Sequence, residues 1–143
     1  MAITINGKEI DFEQGETVLQ VARRAGIQIP HLCSLDWAPS PSASCRLCVV
    51  EVEGQKNLAA SCSHPAADGM VVRTDTERVL KARRMNLELI LSDHSVECIT
   101  CDKSGSCALE RYAYEFGLKD SRFVGPHRAR NLHKCARAVS ADH

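Results

Sequence analysis

The chain has 143 residues, 44% of them apolar, and its 18 basic and 18 acidic side chains leave no formal net charge. That length and apolar share suffice for one modest domain or two small ones, and the charge balance gives no electrostatic signature of a nucleic-acid or membrane-surface binder. No apolar run approaches the roughly 20 residues of a membrane span, and the opening Met1-Ala2-Ile3-Thr4-Ile5-Asn6-Gly7 lacks the basic and apolar regions of a secretory signal.

The expected setting is therefore a reducing cytoplasm, with no nucleic acid and no direct membrane insertion. In that setting disulfides are a poor use for eight cysteines; metal or redox chemistry is a better one.

Ile3-Thr4-Ile5 and Glu9-Ile10-Asp11-Phe12 alternate on either side of Asn6-Gly7, which predicts a β-hairpin with a type I′ turn. Thr17 and Gln20 are spaced as a capping box for a helix of about nine residues. Val18, Val21, Ala22 and Ala25 line one face of it, and Gly26 ends it. Ile27 to Pro30 is a short extended lead into Cys33. Residues 34–44 form a loop holding Pro39, Pro41 and the single tryptophan, Trp37, read as a packing lid. Val49 to Val52 reads as a strand closed by Glu53-Gly54. A second extended piece spans residues 57–60, and Met70-Val71-Val72 is a final short strand.

Thr74 and Glu77 are spaced as a second capping box, opening a helix that runs to about Ser92. Val79, Ala82, Leu89 and Ile90 are expected on its apolar side, widened by Leu80, Leu87 and Leu91. Arg78, Lys81, Arg83 and Arg84 are expected on a solvated side. A third helix from Ala108 to Phe116 carries Leu109, Tyr112, Ala113 and Phe116 at helical spacing, with Gly117 as its stop. From Lys119 onward six basic residues face two acidic ones, so residues 125–143 read as a basic tail, flexible or partner-bound.

Two constellations carry the chemistry. Cys33, Cys45, Cys48 and Cys62 are two single cysteines flanking a Cys-x-x-Cys pair; four thiolates suffice to close one iron–sulfur cluster. His94, Cys98, Cys101 and Cys107 supply three thiolates and one imidazole, with Gly105 allowing the backbone to bend inside the loop. Spacing does not choose the metal, because Cys₃His also suits structural zinc. His31 and His64 each lie two residues from a candidate ligand and are read as surface or supporting residues. Cys135 is read as a spare or structural thiol. No Gly-rich nucleotide loop of the expected form and no nucleophile–base pair stands out, so no catalytic residue is assigned.

Residues 1 to about 124 resemble the N-terminal region shared by the large iron–sulfur subunit of respiratory complex I, iron-only hydrogenases, and the diaphorase or electron-transfer subunits of NAD-linked hydrogenases and formate dehydrogenases. The matching stretches are Cys45-Arg46-Leu47-Cys48-Val49-Val50-Glu51-Val52-Glu53-Gly54, Asp68-Gly69-Met70-Val71-Val72-Arg73-Thr74, and His94-x-x-x-Cys98-x-x-Cys101-Asp102-Lys103-Ser104-Gly105-Ser106-Cys107. The resemblance implies an α+β chain: a β-grasp plant-type ferredoxin domain over residues 1–75, then a small helical and loop domain over residues 76–124. It implies a [2Fe–2S] cluster on Cys33, Cys45, Cys48 and Cys62 and a [4Fe–4S] cluster on His94, Cys98, Cys101 and Cys107.

The implied role is an electron-transfer subunit that relays single electrons and has no substrate site of its own. Its complex would be a multi-subunit NAD(P)-linked oxidoreductase: a hydrogenase, a formate dehydrogenase or a related electron-bifurcating assembly. Its partners would be flavin- or NAD(P)-binding subunits and other iron–sulfur or catalytic subunits. One departure is Ala43, where the family often carries glycine; a tighter or differently twisted loop is expected there. Another is length: larger relatives continue into a module with further clusters, whereas here only Cys135 remains. A short subunit and an excised N-terminal fragment are both open, and outside this class a zinc-stapled interaction module or a redox sensor.

Overall fold

The computed structural model describes residues 1–34, 42–94, 98–119 and 121–123. Trp37, Pro39, Pro41, Cys135 and the tail from residue 125 lie outside the described residues.

Strands β1 (Ala2–Ile5) and β2 (Lys8–Asp11) form the expected hairpin, paired Ile3 to Ile10 and Ile5 to Lys8. Asn6 and Gly7 take φ of 51° and 81°, the left-handed pair that a type I′ turn demands. Helix α1 (Val18–Arg24) opens on Thr17, and both bonds of the capping box with Gln20 are present. Gly26, at φ 75°, follows the helix end. Strands β3 (Val49–Val52), β4 (Ala59–Ala60) and β5 (Val71–Arg73) complete a five-stranded sheet of order β2-β1-β5-β3-β4. The β1–β5 pair is parallel and the others are antiparallel.

The sheet and α1 enclose a core of Ile3, Ile5, Val18, Val21, Val50, Val52 and Val72, all at most 4% exposed. Full burial of each such side chain contributes about 1.5–3 kcal/mol. Cys48 and Cys62 sit inside this same core. The architecture is α+β, a mixed sheet with a few helices.

Helix α2 (Glu77–Ser92) departs from expectation in two ways. Its cap is Thr76, whose hydroxyl accepts from the Val79 N–H and donates to Glu51. No capping box forms at Thr74, because that residue belongs to the sheet end. Its N–H donates to Asn6 Oδ1, and its hydroxyl accepts from Asn6 Nδ2, at 2.8 and 2.7 Å. The apolar face is the expected one only at Val79, Leu87 and Leu91. Val79, Arg83, Leu87 and Leu91 point inward at every fourth position, while Leu80 and Leu89 are 44% and 49% exposed. Arg83, expected in solvent, is 3% exposed. Helix α3 (Ala108–Glu115) ends at Gly117, with Tyr112 buried and Leu109, Ala113 and Phe116 half-buried.

A second core joins α2 to α3: Leu47, Leu87, Leu91, Tyr112 and Leu118, with Leu32 and Cys45 packed against it. Among the described residues no helix is long and apolar enough to cross a membrane.

Candidate metal centres

The first centre is assembled by the sheet. The β3–β4 pairing sets Val49 opposite Ala60, so the residues just outside the pair, Cys48 and Ser61, meet at the same end. The Ser61 N–H and hydroxyl both donate to the Cys48 carbonyl, at 3.1 and 2.7 Å. Cys62 follows directly. Val18 and Leu19, at the free N-terminal end of α1, donate to the carbonyls of His64 and Ser61. The helix thereby pins the turn that carries Cys62.

Cys45 and Cys48 lie on the turn before β3. Two non-glycine residues there are left-handed, Ala43 at φ 50° and Arg46 at φ 52°. Each such conformation costs about 1–2 kcal/mol, so surrounding bonds must hold it. Asn86 on α2 donates to the Arg46 carbonyl at 2.6 Å. Ala43 thus takes a positive φ without being glycine. Cys33 arrives on the extended lead from Ile29, and its sulfur accepts from the Cys45 N–H at 3.5 Å.

The four thiols feel one another. Burial pushes Cys62 up to about 12, helped by its hydrogen bond with Cys48 and by the negative charges of Cys48, Cys33 and Cys45. Burial likewise raises Cys45. Burial also opposes ionisation of Cys33, yet hydrogen bonds from Ser42, Cys45 and Ser44 outweigh it and bring that thiol down to about 6. Cys45 and Cys62, whose ionisation burial opposes, belong to a donor set short of positive charge, which bound iron would supply. The residues present fit an iron–sulfur group.

Beside this set lies Arg83. Its Nε and an Nη donate to the Val49 carbonyl at 3.2 and 2.8 Å. Burial lowers its pKa to about 10, opposed by the attraction of Cys48 first and then Asp75 and Tyr112. The guanidinium therefore remains charged at neutral pH.

The second centre is built on helix ends and turns. His94 closes α2, its N–H donating to the Leu91 carbonyl. Cys98 opens a 3₁₀ turn (Cys98–Thr100), Cys101 follows it, and Cys107 is the N-cap of α3. The turn between them uses Gly105 at φ 79°. Glu110 closes the loop by accepting from the Gly105 N–H at 2.8 Å. This acid was not singled out from sequence, although it stands three residues after the cap, where an acid favours a helix start.

His94, Cys98, Cys101 and Cys107 all line one cavity of about 410 Å³, whose other walls include Leu91, Leu109, Ala113 and Leu118. All four are half-buried. Burial raises the Cys98 pKa, reinforced by the charges of Glu110, Cys107 and Cys101. The donor set and the cavity fit a cluster larger than one ion. Among the described residues no three His, Cys, Asp or Glu side chains converge at single-ion spacing.

The two bystander histidines are engaged elsewhere. The His31 ring nitrogens bond the Ile29 carbonyl and Arg23, each at 2.8 Å, and the His64 ring meets Gln55 at 3.4 Å. The seven described cysteines are all free thiols.

Residues 1–77 match the family described as a 2Fe-2S iron–sulfur cluster binding domain. The chain belongs to that family. Residues 83–122 match the NADH-ubiquinone oxidoreductase-G iron–sulfur binding region. The cofactors of this iron–sulfur protein are thus a 2Fe-2S and a 4Fe-4S cluster, as expected from its sequence.

The chain is 48% identical over 129 residues to the NADP-reducing hydrogenase subunit HndD of Solidesulfovibrio fructosivorans, covering 87% of this chain and 22% of that protein. It is 38% identical over 121 residues to the mitochondrial NADH-ubiquinone oxidoreductase 78 kDa subunit of Candida albicans, covering 85% and 17%. The chain therefore spans less than a quarter of these curated relatives. A solved NAD⁺-reducing [NiFe]-hydrogenase in the H₂-reduced state superposes at a TM-score of 0.80 with 39% identity, over 90% of this chain and 54% of that one.

Proposed function

We propose that this iron–sulfur protein relays single electrons inside a multi-subunit NAD(P)-linked oxidoreductase. One observation carries this reading. The core of Leu47, Leu87, Leu91, Tyr112 and Leu118 has Cys45 packed against one side of it. Two members of the same core, Leu91 and Leu118, also wall the cavity lined by His94, Cys98, Cys101 and Cys107. Two thiol-rich sets thus adjoin one buried apolar core.

Cys33, Cys45, Cys48 and Cys62 hold the [2Fe–2S] group; His94, Cys98, Cys101 and Cys107 hold the [4Fe–4S] group. Residues 1–75 form the β-grasp ferredoxin domain and residues 76–124 the second domain, with 125–143 as a basic tail toward a partner. Clusters supply one-electron chemistry, and the residues around them set position, burial and hydrogen bonding.

The partners are flavin- or NAD(P)-binding subunits and further iron–sulfur or catalytic subunits, in the cytoplasm. The relatives' names, a hydrogenase subunit and a ubiquinone oxidoreductase subunit, support that class of complex.

The test is electron traffic in the reconstituted chain. It should accept electrons from a low-potential one-electron donor and pass them to a one-electron acceptor. It should not oxidise NADH or NADPH with a dye as acceptor. Pyridine-nucleotide oxidation by the isolated chain would overturn the relay reading.

A further inference from the structure

Arg83 is the feature that neither the sequence pattern nor the ligand sets account for. It occupies the second inward position of the series Val79, Arg83, Leu87, Leu91 of α2, where an apolar residue would continue the stripe. A buried guanidinium with no carboxylate against it is costly and calls for a compensating partner. Among the described residues Arg83 forms no ion pair. Its only hydrogen-bond acceptor there is the Val49 carbonyl. Asp75, which also attracts it, is solvent-exposed and so screened.

The largest attraction comes from Cys48, adjacent to Val49 in the chain and 1% exposed, with a smaller one from Tyr112. Arg83 therefore holds its charge on the carbonyl of Val49, the residue that directly follows the buried Cys48. We propose that Arg83 sets the reduction potential of the [2Fe–2S] centre by holding a permanent positive charge beside Cys48. This rests on the ligand assignment proposed above.

The sign follows from charge. One electron from a one-electron donor adds one negative charge to the thiolate-bound centre, and Arg83 neither gains nor loses a proton. A fixed cation stabilises the more negative, reduced state more than the oxidised one, and so raises the potential. At the effective dielectric of about 20 that suits buried sites, a unit charge within about 10 Å shifts a one-electron equilibrium about tenfold. His94 lies eleven residues further along, about 16 Å at the helical rise. The second centre, farther away and only half-buried, should feel Arg83 less, since distance and solvent screening both weaken it.

The experiment is a redox titration of the reconstituted full chain, followed by electron paramagnetic resonance, for wild type, Arg83→Met, Arg83→Gln and Arg83→Lys. Met removes charge and hydrogen bonds; Gln removes the charge and keeps a donor; Lys keeps the charge and alters the fork. The Met and Gln variants should make reduction of the [2Fe–2S] centre about tenfold less favourable, a fall of about 59 mV for one electron. The Lys variant should stay near wild type, and the [4Fe–4S] potential should fall by less than that of the [2Fe–2S] centre in the Met and Gln variants. Should Arg83→Met not retain iron, Arg83→Gln carries the test. An unshifted potential in Arg83→Gln, or a fall in Arg83→Lys as large as in Arg83→Gln, would overturn the assignment. The absence of any [2Fe–2S] signal in wild type would instead refute the ligand assignment itself.

Discussion

The two centres of this chain are built by opposite means. Cys48 and Cys62 belong to the hydrophobic core of a five-stranded sheet and are at most 2% exposed. Strand register and the bonds from Ser61 place them, and both would persist with no metal present. Cys98, Cys101 and Cys107 are half-buried, as Cys33 and Cys45 are, and lie on short turns. Turn bonds and the single carboxylate of Glu110 hold them. Folding preorganises Cys48 and Cys62; the second candidate set should gain much of its order from the group proposed to bind there.

The largest expected effect of that difference lies in the iron-free protein. Removing iron with a chelator should leave the amides of β1, β3 and β5 protected from hydrogen exchange. Those of residues 98–107 should exchange nearly freely. Equal protection of both regions would erase the contrast.

Next comes the apolar core that both sets adjoin. Leu87 is fully buried in the core shared by α2, α3 and Leu47. Leu87→Ala should cost about 2–5 kcal/mol in denaturant unfolding. It should also loosen α3 against the sheet, seen as faster exchange at Tyr112. A cost within the range of exposed positions, below about 0.5 kcal/mol, would mean the two regions are not packed as one.

Acid should sharpen the contrast further. Glu88 accepts from the Arg122 Nε at 2.7 Å, and also from its Nη and N–H. Those side-chain bonds, then the backbone bond, hold its carboxyl down to about 2 against the opposing effect of burial. A depressed carboxyl stabilises the fold fully above the ordinary carboxylate range. That contribution is lost as pH falls from about 4.5 through about 2. Segment 121–123 should therefore become protease-sensitive over that window in wild type, and at every pH in Glu88→Gln. A wild-type segment equally resistant at pH 2 and pH 6 would contradict the pairing.

The smallest effect is at Ala43. Its left-handed φ strains a residue with a Cβ. Ala43→Gly should raise stability by about 1 kcal/mol without changing the cluster spectrum. A loss of stability would show that the turn is not held in that conformation.

What the sequence disclosed follows the same division. The Asn6-Gly7 turn, the Thr17–Gln20 box and the Gly26 and Gly117 stops are local signals, and each appears in the fold. The Cys45–Cys48 pair and the 94–107 set are short-range signals too, whereas Cys62 reaches the pair through the sheet. The inward turn of Arg83 was not legible, since its acceptor, the Val49 carbonyl, lies 34 residues away. Thr74 misled for the same reason: its side chain answers Asn6, 68 residues distant, rather than its own helix. A spacing rule reports the neighbours a residue has in sequence, and these two residues are decided by neighbours they have only in space.

The central claim is that one chain holds two different clusters on two separable ligand sets. Iron and acid-labile sulfide per chain test it most directly, in wild type and in Cys48→Ser and Cys101→Ser after anaerobic reconstitution. The account predicts about six of each in wild type, about four in Cys48→Ser and about two in Cys101→Ser. Zinc in place of iron, or loss of all iron from either single variant, would contradict it.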